Sequence, residues 1–157
     1  MAKATLPQKD KKAISDMLVG ILSDAVILYT KTRKFHWNVS GPSFMELHKL
    51  FEDQYGQLET AIDEIAEKIN KMGFNTPGTM AEFLQFGSLK EAPGKYPDQI
   101  AMIRELQDDH EKVIATLRAA IKSSDEQHND ALTADFLTDL ARQHETISWT
   151  LRRYQKQ

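Results

Sequence analysis

The sequence contains no cysteine. Neither a disulfide framework nor a thiolate metal site can form, and that fits the cytoplasm, where the protein is expected. No apolar run approaches the ~20 residues that a membrane helix needs. No apolar segment precedes Ile14, so a secretory signal is not expected. Positive charge is also scarce: 20 Lys and Arg stand against 23 Asp and Glu, a net charge of −3. Duplex binding leans on positive charge, so the folded body is not expected to attract DNA. Glycine and proline are few, 7 and 5. Most of them fall at 41–42, 73, 77–78 and 87–97, where they act as breakers.

Between the breakers lies helical periodicity. Residues 1–9 lack it and hold Pro7, so they are read as a flexible tail. Residues 10–157 are read as one domain. A first helix is predicted from Asp10 to Trp37, with Ile14, Leu18, Ile21, Ala25 and Leu28 on one face. A second runs from Ser43 to Met72, with Leu47, Phe51, Tyr55, Leu58, Ile62, Ile65 and Ile69 as its stripe. Ser40 or Ser43 is placed to cap it, and Gly73 ends it. Met80 to Phe86 is read as a short helical piece inside a long connection. A third long helix is predicted from Asp98 to Ser123 and a fourth from Asp130 to Tyr154. Residues 123–129 between them are read as polar loop. Four helices of about 25 residues fit an all-α four-helix bundle, and a long link between the second and third belongs to its single-crossover, ferritin-like form.

The chemistry concentrates between His36 and Glu67. His48 and Glu52 are four residues apart, as are Asp63 and Glu67, so each pair shares a helix face. From Glu52 to Asp63 is eleven residues, which returns to within about 20° of the same direction at ~100° per residue. The rise over that distance is ~16 Å, too far for one straight helix to close around a metal with ligand bonds near 2 Å. No Glu-x-x-His pair of the internal di-iron type lies on a predicted helix. Two copies of the second helix, antiparallel about a two-fold axis near Gly56 to Leu58, would bring His48 and Glu52 of one chain opposite Asp63 and Glu67 of the other, twice over. His36, just before the turn, can join His48. The mixture of imidazole and carboxylate suits iron, manganese or zinc. Taken singly, each carboxylate reads as a solvated charge and each histidine as an ordinary surface or core histidine; the combination is what points to a site.

The residues KFHWNVSGPSFMELHKLFEDQYGQLETAIDEIAEKINKMG, Lys34 to Gly73, closely resemble the Dps family of mini-ferritins, and TADFLTDLARQHETISWTLRRY resembles that family's last helix. The resemblance covers nearly the whole chain. It implies a hollow dodecamer with ferroxidase sites shared between two-fold-related subunits. His36, His48 and Glu52 would come from one subunit, Asp63 and Glu67 from its partner. Many members carry aspartate at position 52, so direct ligation by Glu52 stands against ligation through water. The implied chemistry is Fe(II) oxidation by hydrogen peroxide, or by dioxygen, with ferric mineral stored inside. It protects against oxidative stress, and zinc is the alternative occupant of the site.

Other residues keep two readings. Lys3, Lys9, Lys11 and Lys12 are either a solvated helix start or a DNA-touching arm that would give a nucleoid-binding function. Trp37 is either a helix-end core residue or an interceptor of oxidising equivalents. Asp130 and Asp135 favour a helix start, while the resemblance implies an iron-entry pore there. His110 and His144 lie inside apolar stripes and are read as core histidines rather than ligands.

Overall fold

The computed structural model describes residues 5–155. Its element order is α1 (Gln8–Asn38), α2 (Phe44–Lys71), α3 (Met80–Phe86), α4 (Gln99–Lys122), a π-type turn (Ser123–Gln127) and α5 (Ala131–Arg153). No strand occurs among the described residues. The four long helices form the expected ferritin-like bundle. α1 packs along α2, α4 packs along α5, and α1 also touches α4.

The apolar stripes explain the packing. Ile14, Leu18, Leu28, Leu47, Phe51, Leu106, Leu117, Leu137 and Leu151 are fully buried. Each such side chain contributes about 1.5–3 kcal/mol of transfer free energy. α1 is long and apolar enough by composition to cross a bilayer, contrary to the expectation that no apolar run approaches that length. Its buried residues are the core of the bundle itself, and that accounts for its hydropathy.

The second helix departs from its predicted stripe. Tyr55 is only half-buried, while Gln54 is 2 % exposed. The seam follows steps of four and three through Leu47, Phe51, Gln54, Leu58, Ala61 and Ile65. That rhythm turns residue 54 inward and leaves residue 55 on the shoulder.

Termination follows local chemistry. Pro7 stands at the N-cap of α1, so the helix begins two residues earlier than predicted. Lys9, Lys11 and Lys12 therefore lie on its first turns, and Lys12 pairs with Asp16. Lys3 lies outside the described residues. Ser43 occupies the N-cap of α2 without a side-chain hydrogen bond. Gly73, at φ +94, takes the left-handed position that ends α2. Thr79 and Glu82 form a capping box on α3. The connection predicted as loop after α4 is instead wound as one π turn, followed by Asn129 at φ +50.

The long connection is anchored to α1. The Asp24 carboxylate, 3 % exposed, accepts hydrogen bonds from the Ser88 and Leu89 amides at 2.6 and 2.9 Å and from the Ser88 hydroxyl at 2.7 Å. A Cβ on Gly87 would sit 2.5 Å from Ile27 and 2.9 Å from the Phe83 carbonyl, so only glycine permits this approach. Further along α1, Lys31 reaches Asp109 at 2.5 Å, the Lys90 carbonyl at 2.8 Å and Glu105 at 3.1 Å. These contacts fix the end of α1 that carries the site.

Candidate metal centre

The α1–α2 turn folds the chain back so that His36 and His48 meet. Nδ1 of His36 lies 2.7 Å from the His48 carbonyl oxygen, and Nδ1 of His48 lies 2.8 Å from the His36 carbonyl oxygen. A carbonyl only accepts, so both Nδ1 atoms donate. In the neutral rings each Nε2 then carries a lone pair and no proton, the form in which imidazole binds a metal. The rings stack with centroids 3.8 Å apart and planes 15° apart. The sequence proposes the pair; its reciprocal bonding is visible only in the fold.

Aromatic groups enclose the pair. Phe44 stacks on His48 at 5.1 Å, and Tyr55 meets His36 edge-on at 5.2 Å. The Arg33 guanidinium lies 4.4 Å from the Tyr55 ring centroid and 5.3 Å from that of Trp37. It also donates to the Tyr29 hydroxyl at 2.8 Å, a bond that pushes the Arg33 pKa above its ordinary value. Trp37 itself is 64 % exposed, so it is not a core residue of the protomer. Phe44, Tyr55 and Arg33 were not read from the sequence as part of the site. Their spacing of four before His48, seven after it and three before His36 was the available signal.

The carboxylates are placed differently. Glu52 lies one turn beyond His48, half-exposed, with Lys49 at 3.5 Å. Lys49 is held more firmly by Asp53, whose hydrogen bond leads the rise in its pKa. Asp63 and Glu67 are exposed, farther along α2. Gly56 lies between them and Glu52, with nothing within 4 Å of a Cβ placed there, whereas Leu58 turns into the core. Among the described residues, no group of three or more metal-binding side chains comes together within one protomer. The structure unites His36 with His48 and leaves Asp63 and Glu67 apart from them.

The secondary candidates resolve otherwise. The Asp130 carboxylate is buried and caps α5, accepting from the Thr133 amide at 3.2 Å, so it is committed to the helix start. Asp135 is exposed. His110 and His144 are buried between α4 and α5, with their Nδ1 atoms 2.8 Å apart. Burial pushes both rings toward the neutral form: His110 falls well below its ordinary pKa, and His144 falls to about 4. They are core histidines, as expected.

A ferritin-like domain model matches residues 15–157. The chain is 33 % identical over 147 residues to DNA protection during starvation protein 2 of Bacillus anthracis, covering 93 % of this chain and 99 % of that one. The chain belongs to the Dps family of ferritin-like proteins. It is also 40 % identical over 149 residues to a low temperature-induced protein of Nostoc sp., covering 95 % of this chain and 83 % of the other. Among solved structures it superimposes on the Dps protein of Bacillus brevis with a TM-score of 0.89 at 30 % identity, covering 94 % and 98 % of the two chains. The Dps protein of Vibrio cholerae O1 matches with a TM-score of 0.91 at 26 % identity over 99 % of both chains. That protein is described as a member of a broad superfamily of ferritin-like diiron-carboxylate proteins.

Proposed function

We propose that this chain oxidises Fe(II) and stores the ferric product inside a dodecameric shell. The observation that carries the reading is the reciprocal bonding of His36 and His48, which leaves both Nε2 atoms available as ligands. Glu52 extends that half-site with a carboxylate. Asp63 and Glu67, exposed on the same helix, supply the complementary half to a second copy, because ~16 Å of helix separates them from Glu52. Glu67 is the reading for a bridging ligand and Asp63 for a terminal one. Iron is the substrate here, and mixed nitrogen and oxygen donors suit it. Nothing in the geometry favours zinc over it.

Hydrogen peroxide is the proposed oxidant, with dioxygen as the alternative. Two ferrous ions each give one electron, the O–O bond breaks, and both oxygens leave as water after taking up two protons. Supplying both electrons at one site avoids release of a one-electron radical. The protein's contribution is placement: fixed imidazoles hold Fe(II), and carboxylates neutralise the charge gained on oxidation. Changing His36→Ala and Asp63→Ala together is expected to abolish rapid Fe(II) oxidation, read by the absorbance of the ferric product, while light scattering shows the shell intact. Wild-type rates in the assembled double variant would overturn the reading.

Some relatives are named for DNA protection. In this chain Lys9 and Lys11 sit on the first turns of α1, Lys12 is paired with Asp16, and the net charge is −3. DNA binding through this basic end is the second reading, supported by those relatives' names and by no contact among the described residues.

A further inference from the structure

We propose that Phe44 and Tyr55 are positioning residues of the iron site, the two walls that hold the imidazole pair in its stack. This rests on the reading of His36 and His48 as ligands. Each imidazole is held by one hydrogen bond, from Nδ1 to a carbonyl. One such bond fixes a point on the ring and leaves the plane free to rock about the N···O line. A rocking plane swings Nε2, the atom that must meet the metal.

The walls remove that freedom. Phe44, Met45, Glu46 and Leu47 lead into His48, and the Phe44 ring, one turn earlier on α2, lies over the His48 face at 5.1 Å with the planes 30° apart. His36 stacks on His48 in turn, its ring centroid 3.8 Å away. Tyr55 then stands edge-on to His36 at 5.2 Å and 79°. Tyr55 does not move freely either. Arg33 lies 4.4 Å from its ring centroid, and Tyr29 meets it edge-on at 6.1 Å. The order Phe44–His48–His36–Tyr55 is thus a closed column, with its outer members supported by α1 and α2. A flat ring matters at 44 because only a plane restrains another plane. An edge matters at 55, because an electropositive ring edge and a π face attract each other.

The sequence choices agree. Phe44 keeps 38 % of its surface exposed, so it is not a member of the bundle core. Tyr55 is displaced from the core seam by Gln54, whose amide is buried with neither heteroatom hydrogen-bonded. A tyrosine on the shoulder is what closes the column.

The test uses Co(II) as a redox-inert probe on the assembled full-length protein, followed by its visible absorption, alongside Fe(II) oxidation kinetics. Groups that orient metal ligands typically change metal affinity by about 10- to 100-fold when removed. Phe44→Ala and Tyr55→Leu are each expected to weaken Co(II) binding by about tenfold and to raise KM for Fe(II) more than they lower kcat. Phe44→Tyr and Tyr55→Phe, which keep the plane and the edge, are expected to restore wild-type behaviour. Phe44→Leu keeps apolar bulk without a flat face, so it remains informative if the alanine variant fails to assemble, and it is expected to bind Co(II) weakly. Wild-type affinity in Phe44→Leu and Tyr55→Leu would overturn the positioning role and leave the iron site standing. A wild-type protein that takes up no Co(II) would overturn the site and the role together.

Discussion

Mixing two damaged chains isolates the division of the site between subunits. One variant carries His36→Ala and His48→Ala, and the other carries Asp63→Ala and Glu67→Ala. Glu52 and Asp63 lie eleven residues apart on α2, ~16 Å at 1.5 Å per residue, and no protomer gathers three metal-binding side chains among the described residues. Neither variant alone is expected to oxidise Fe(II) rapidly. When the two are unfolded, mixed in equal amounts and reassembled, half of the two-fold pairs are mixed. Each mixed pair holds one site with both halves damaged and one with both halves intact. About one quarter of the wild-type sites should therefore return, a consequence of the two-fold symmetry alone. The assay is the initial rate of ferric product formation per mole of chain, with light scattering to confirm reassembly. Activity no greater than the sum of the two separate variants would refute shared sites, whatever the shell size.

Two further outcomes concern the scaffold. The buried His110–His144 pair is held neutral, with His144 lowered from 6.5 to about 4. A folded-state value below the unfolded one means that this stabilisation is present above about pH 6.5 and is lost as pH falls toward about 4. For His144 the difference amounts to about 3 kcal/mol, and urea unfolding across that window should show the loss, with a flatter acid limb in the double variant His110→Leu, His144→Phe. Identical acid limbs would remove the pair from the account. Lys31→Met leaves the Asp109 carboxylate, 4 % exposed, with the longer 3.7 Å contact to Lys112, and should cost up to about 3–5 kcal/mol. In a chain of this size that lowers Tm by roughly 6 to 20 °C. Adding Asp109→Leu should recover most of the loss, and a double variant as unstable as the single would contradict the assignment.

The bundle was legible from the apolar steps because helix packing repeats a local rule. Ile14, Leu18 and Leu28 on α1, or Leu47, Phe51 and Leu58 on α2, are buried where their spacing put them. Residues at the edge of a stripe, or between helices, fared less evenly. Tyr55 and Gln54 exchanged roles, because one residue of phase on a helix is about 100° of direction, and periodicity blurs it. Residues 123–127 read as loop by polarity, although a π turn satisfies their backbone equally well.

Residue order alone sets which donors share a face of the second helix and how far apart they must stay. Both follow from residue spacing and the rise of a helix. Only the tertiary structure decided that the His36 and His48 Nδ1 protons are bound to each other's carbonyls, that Phe44 and Tyr55 close the column, and that Asp24 and Lys31 tie the crossover to α1. These are contacts between groups 4 to 78 residues apart in the chain. Most of them depend on where the turns send the backbone, which no local pattern encodes.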